Sequence, residues 1–380
     1  MNIEIHGTSF INKGAELMLC AIAERLRAMY PDVCLAVSPR IGSYGERAKY
    51  GLYQKVEKER AGVRGKVLHT VMHAGYRKRY GLLTTGEIDA VLDASGFAYG
   101  APFGSEPTLE MAEHAKRWRR NGTKLILMPQ AYGPFNTRKM ATAFREIVQQ
   151  AELVFVRDRC SFEYLQNIGA VYGHVKRAPD FTNLVVGRIP QGFSRAEHRV
   201  AVIPNYQIIK HNEKSVGEQY LAFLGATIRH LHAEGMSTCV LVHETQKDEQ
   251  IVQRLQESAG QALSVVREQD PVRLKGILGL CHAVVASRYH ALVSALSQGV
   301  PCIGVGWSHK YRELFRDYGC LECLIEEIAF NEDVKARIEC VLKDPVRGQL
   351  VRDLKSKADD HREKTVKMWS QIATVLRGSG

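Results

Sequence analysis

Of the sequence's 380 residues, no run approaches the roughly 18 consecutive apolar residues that would span a bilayer. No Walker loop is present, and no Gly-x-Gly-x-x-Gly follows a strand pattern, so neither ATP hydrolysis nor dinucleotide binding has a motif behind it. The nine cysteines are odd in number and scattered, and several lie inside apolar runs, which favours reduced core thiols over disulfides. Cys320 and Cys323 form the one tight pair. No second pair or histidine cluster stands at finger-like spacing, so no metal is expected. There is no solenoid-period repeat, low-complexity tract, nucleic-acid module or aromatic stacking pattern. Negative charge is also short: the formal net charge is +11, and from Arg47 to Arg79 ten Lys/Arg face two Glu.

What is present is an ordinary globular composition, 45% hydrophobic and 24% charged, in a length that suits two domains. Met1-Asn2-Ile3-Glu4-Ile5 opens as a strand rather than as a signal peptide, so the expected address is the cytoplasm. Short runs rich in Val, Ile and Leu at 2–6, 33–37, 87–93, 124–128 and 152–156 alternate with helical patterns at 14–29, 106–120, 138–150 and 158–168. A lower-order stretch from Ala178 to Glu197 reads as a linker. A second series follows, with strands at 199–203, 238–242, 263–266, 283–286 and 302–305 and helices near 217–234, 246–258, 271–279 and 289–298. The expected fold class is α/β, two Rossmann-like parallel-sheet domains facing a cleft. The expected boundaries are 1–185, carrying a basic insertion at about 47–79, then 195–350, then a C-terminal helix over 351–380 that packs back on the first domain. The basic insertion reads either as a solvated loop or pair of short helices, or as a lid or patch for anionic lipid or a phosphorylated carrier.

The clearest chemistry lies where the strand pattern at 283–286 gives way to a helix. Ser287-Arg288-Tyr289-His290 places an arginine fork and an imidazole at the start of that helix, where unsatisfied N–H groups attract anions. An arginine there grips a carboxylate or phosphate with two parallel bonds, and His290 can share the ligand or move a proton. Lys310 follows the next strand, at the same sheet edge. The bland account makes Arg288 the partner of a neighbouring carboxylate and His290 a satisfied core histidine. His243 and Glu244, at another strand end, and Asp248 beyond them can orient sugar hydroxyls, or Thr245 and Asp248 can simply cap a helix. Asn12, Gly14 and Gln130 are expected on loops after first-domain strands, where turn geometry alone would also account for Gly14.

Ser287-Arg288-Tyr289-His290-Ala291-Leu292, then Gly299-Val300-Pro301, then His309-Lys310-Tyr311 resembles the C-terminal signature of polysaccharide pyruvyl transferases. Asn12-x-Gly14-Ala15-Glu16, the Gly96 turn after Asp93, Pro129-Gln130-x-x-Gly133-Pro134, Val156-Arg157-Asp158-x-x-Ser161 and Pro179-Asp180 resemble that family's other elements, in the same order. Two departures stand out: Ala94-Ser95-Gly96-Phe97 lacks consecutive glycines, and Lys13 stands where many relatives have another residue. The resemblance implies a GT-B-like fold and transfer of a pyruvyl group from phosphoenolpyruvate to two hydroxyls of a sugar, making a ketal and releasing phosphate. It implies no cofactor. It places Arg157, Arg288, His290 and Lys310 at the donor; with its pKa near neutrality His290 is the expected general acid and, with Arg288, the catalytic pair, while Arg157, Lys310, Asn12, Gly14, Gln130, His243 and Glu244 are the expected substrate-binding residues. The implied partners are phosphoenolpyruvate and a glycan acceptor, free or lipid-linked, with the inner membrane face as a place of contact and no nucleic acid. Two other readings stay open at this stage: a GT-B glycosyltransferase using a nucleotide sugar, and a non-catalytic basic protein that binds anions or nucleic acid.

Overall fold

Strands that are apolar almost throughout suit sheets covered on both faces, and the chain builds two such sheets. The computed structural model describes residues 1–56, 74–210, 213–243, 245–259, 263–306 and 308–378. The middle of the basic insertion, 57–73, and Glu244 lie outside the described residues.

The first sheet has eight strands: β1 (Asn2–His6), β2 (Cys34–Val37), β3 (Tyr53–Val56), β4 (Leu82–Thr84), β5 (Ala90–Asp93), β6 (Lys124–Gln130), β7 (Leu153–Val156) and β8 (Val175–Arg177). They pair in the order β4-β3-β2-β1-β5-β6-β7-β8, every pair parallel. Helices Lys13–Met29, Glu106–Arg120, Arg138–Gln150 and Arg159–Asn167 fall where the helical periodicity predicts them. Their starts are set by side chains: Thr137 accepts from Met140 N, and Asp158 from Ser161 N. The basic insertion begins with a helix, Tyr44–Lys49, and then β3, and its far end is a second short helix, Ala74–Arg79. The two short helices agree with one reading of that stretch, but neither reading includes β3, and β4 just beyond it is not expected either. Their four- and three-residue lengths and the polar Gln54 and Lys55 hide the strand pattern, and Lys55 is buried because its Nζ lies 2.5 Å from Glu4 of β1.

The second sheet has six strands: β9 (Val200–Ile203), β10 (Thr238–Leu241), β11 (Ser264–Val266), β12 (Ala283–Ala286), β13 (Cys302–Val305) and β14 (Leu324–Ile325). Their order is β11-β10-β9-β12-β13-β14, again all parallel, the doubly wound arrangement in which chain direction across the sheet reverses between β9 and β12. Every residue of β9, β10, β12 and β13 is buried. Burying one such Val, Leu or Ile side chain is worth about 1.5–3 kcal/mol, so these four strands carry much of the unit's core.

The chain forms two compact units: Met1–Phe10, Met18–Phe181 and Lys364–Gly380 make the first, and Ile11–Leu17 with Thr182–Glu363 make the second. The closing helix, Val346–Arg377, contributes to both. Its last turns are tied into the first unit, where Lys124 Nζ donates to the Val375 carbonyl and Tyr30 OH to that of Ala373. Among the described residues no helix is long and apolar enough to cross a membrane.

Candidate functional site

The helix Tyr289–Leu296 starts one residue after Arg288, at the carboxyl end of β12 and beside the switch between β9 and β12, where open α/β sheets hold ligands. The end of β12 is clamped. The Ser287 carbonyl accepts from Asn205 Nδ2 and from Tyr311 OH, both at 2.9 Å, and Tyr220 OH donates to Ser287 Oγ at 2.8 Å. With Ser287 held by three neighbours, the Arg288-Tyr289-His290 turn has one fixed origin. Arg288 is buried, and its Nη2 lies 2.6 Å from the fully buried Asp248 while its Nε donates to the Pro204 carbonyl. Asp248 also accepts from Tyr206 N. Asp248 thus orients the arginine fork, and it is the neighbouring carboxylate that the bland account of Arg288 supposes.

Gly14 is not a loop residue. It lies in the first turn of the helix Lys13–Met29, and Asn12 caps that helix by accepting from Gly14 N and Ala15 N. Turn geometry therefore does not explain this glycine. A Cβ built there would lie 2.4 Å from His290 Nδ1, so the imidazole rests on the bare Cα. Gly14→Ala should cut turnover at least about tenfold, because the ring must shift by about 1 Å to restore van der Waals spacing. The melting temperature should hardly fall, since alanine favours a helix over glycine by about 1 kcal/mol. Steady-state kinetics beside a thermal melt checks this, and unchanged turnover would end the claim that the ring position matters.

His243 is buried, and its Nδ1 has no hydrogen-bond partner among the described residues. Burial holds this imidazole well below the usual histidine range, and the fields of Arg288, His290 and Lys13 push the same way. Lys13, Gly14, His243, Lys275, His290 and Ser294 line one narrow recess in the second unit. Lys310 lies in the first turn of the helix His309–Asp317, and its Nζ is 5.4 Å and 5.5 Å from the ring centres of Tyr289 and Tyr311. The structure thus gathers Gly14, His243, Arg288 and His290, together with Lys13, Lys275, Asn205, Tyr220 and Asp248. In the sequence Lys13 stands out only as a family departure, and Lys275, Asn205 and Tyr220 carry no local signal at all.

In the first unit, Arg157 follows β7 and pairs at 3.3 Å with Asp180, both buried. Gln130 is not on a loop but ends β6, where Pro129 accompanies a register shift, and it is fully buried. Its Nε2 donates to Asp93 at 2.7 Å, and Asp93 also accepts from Ser95 Oγ and Tyr99 OH. This buried network fixes the loop after β5, and it leaves Gln130 Oε1 without a hydrogen-bond partner among the described residues. Gly133, at φ +76, needs its glycine because a side chain would be strained there and would strike Tyr164.

Cys320 and Cys323 are buried free thiols. Their mutual hydrogen bond and burial push the Cys320 thiol far up, into the inert range. The one group among the described residues with metal-like spacing, His230 with Glu234 and Glu339, already has a cation: Lys343 Nζ lies 2.7 Å and 3.2 Å from the two carboxylates.

Two parallel-sheet α/β units with a polar cluster at a switch point define a GT-B-type protein, and solved structures agree on the fold. A putative UDP-N-acetylglucosamine 2-epimerase from Listeria monocytogenes is 10% identical with a TM-score of 0.61, over 100% of this chain and 97% of its own. The UDP-GlcNAc 2-epimerase from Neisseria meningitidis bound to UDP-GlcNAc is 7% identical with a TM-score of 0.61, over 98% and 100%. Anabaena Alr3699/HepE in complex with UDP-glucose is 12% identical with a TM-score of 0.58, over 99% of each. No curated protein sequence matches the chain. The chain belongs to the polysaccharide pyruvyl transferase family, whose profile matches residues 12–309.

Proposed function

We propose that the protein moves a pyruvyl group from phosphoenolpyruvate onto two hydroxyls of one sugar in a polysaccharide or its precursor, closing a cyclic ketal and releasing phosphate. The observation that carries this reading is the pairing of an oriented guanidinium, Arg288, with the imidazole of His290 seated on Gly14, at the mouth of a sheet. The donor is a carboxylate and a phosphate on three carbons, so it calls for several cations close together.

His290 delivers a proton to C3 of the donor, which leaves C2 electron-poor, and the first sugar hydroxyl adds there and gives up its proton. The C2–O bond to phosphate then breaks with its electron pair leaving on phosphate, and the second hydroxyl adds to C2 and passes its proton to the departing phosphate, which closes the ketal. Arg288 and Lys310 hold the donor and offset its negative charge. The leaving group comes with the donor, so the scheme calls for no cofactor. Where the acceptor is lipid-linked, the +11 net charge favours the anionic inner face of a membrane.

The test is incubation with phosphoenolpyruvate and a panel of glycosides, reading released phosphate and the mass gain of a ketal. Parallel arms offer UDP-glucose and UDP-N-acetylglucosamine. Transfer from a nucleotide sugar with none from phosphoenolpyruvate would replace this reading by that of a glycosyltransferase.

A further inference from the structure

The recess beside His290 has a composition that the proton transfer does not use. Lys13 is buried in its wall and held at 2.7 Å by Glu16, one turn along the same helix. Lys275 is buried in another wall, its Nζ donating to the Thr182 carbonyl at 2.6 Å. His243 lines the same recess with an imidazole whose Nδ1 is buried and lacks a hydrogen-bond partner among the described residues. The charges of Arg288 and Lys13 act on His243 with the same sign, and each is met by a buried carboxylate, Asp248 and Glu16. A buried imidazole nitrogen with no partner is costly unless a ligand completes it, and two ammonium groups lining the same recess make that ligand an anion.

The type of anion follows from the type of donor. A planar carboxylate matches the fork of an arginine, whereas ammonium groups and imidazole N–H groups are point donors that suit the spread oxygens of a phosphate. The backbone N–H groups of Gly14 and Ala15 are taken by Asn12, so the helix start is not itself the binder, and the work falls to side chains.

We infer that this recess seats a phosphate dianion, occupied in turnover by the donor's phosphoryl group, and that Lys13 and His243 set its selectivity. The identity of the occupant rests on the phosphoenolpyruvate reading; the preference for phosphate does not. On this assignment the C2–O bond breaks toward Lys13 and His243, and free phosphate lingers there as a product inhibitor.

Calorimetric titration of the whole protein with inorganic phosphate, pyruvate and phosphoenolpyruvate, as separate titrants, tests it. Lys13→Met should weaken inorganic phosphate about tenfold or more, the loss of one charge-assisted hydrogen bond, and move pyruvate less than about twofold. His243→Gln should act in the same direction, and it supplies the answer if Lys13→Met melts early. Lys357→Met, an equal charge change at an exposed position, should leave phosphate within about twofold, which separates a local contact from general charge. Phosphate binding that is unchanged in both Lys13→Met and His243→Gln, or phosphate and pyruvate weakened alike, overturns the inference. If wild type binds phosphate in a Lys13-dependent way but not phosphoenolpyruvate, the donor reading fails and the phosphate seat stands.

Discussion

Replacing His290 with alanine should lower turnover by about 10³-fold and leave phosphoenolpyruvate binding within about threefold, because a general acid contributes 10²–10⁴-fold to rate and little to the ground state. The companion variant cannot be Arg288→Ala, since that would strand Asp248 as a buried, uncompensated charge and confuse binding with folding. Arg288→Lys keeps the charge and removes the fork. It should weaken the donor by about tenfold or more, with a smaller effect on the chemical step than His290→Ala. Pre-steady-state proton transfer to C3, read as deuterium entering the pyruvyl methyl group from heavy water, assigns the step. If His290→Ala exchanges deuterium at the wild-type rate, the proton comes from elsewhere.

Asp248→Ala should cost about 3–5 kcal/mol of stability, seen as a lower urea midpoint, because it removes one half of a buried ion pair and leaves the other half charged. Asp248→Asn should lose less, since an amide oxygen still accepts from Arg288 and from Tyr206 N. The activity of the asparagine variant is the more telling readout. With the fork still bonded but less firmly oriented, KM for phosphoenolpyruvate should rise more than kcat falls. A midpoint for Asp248→Ala within about 1 kcal/mol of wild type would mean that water reaches the pair and that Arg288 is not fixed by it.

These two expectations differ in how far the sequence supports them. Arg288 and His290 stand out because a four-residue apolar strand, a polar turn and a helix follow one another without a break, and each has its own local pattern. The same holds for β1, β6, β7, β9, β12 and β13. It fails for β3, where Lys55 looks exposed until Glu4 of another strand is known to meet it. It fails equally for Asp248, which the sequence leaves between capping and sugar contacts. The choice depends on Arg288, forty residues away. Gly14 is the sharpest case: local reasoning offers a turn, and the actual cause is an imidazole from the far end of the chain. Residue type and strand–helix rhythm are local properties, while close approach and charge pairing belong to the folded molecule.

The short segment Ile11–Leu17 has a consequence in time as well as in space. It is built into the second unit, whose remaining residues begin only at Thr182, and the ring that rests on its glycine comes at His290. At about 5–20 residues per second, a ribosome needs roughly 15–55 s to travel from one to the other. Until Thr182 and the residues after it emerge, the segment has no other part of its unit to dock against, so the recess is among the last parts of the nascent chain to take shape. A fragment covering 182–363 alone would lack its floor.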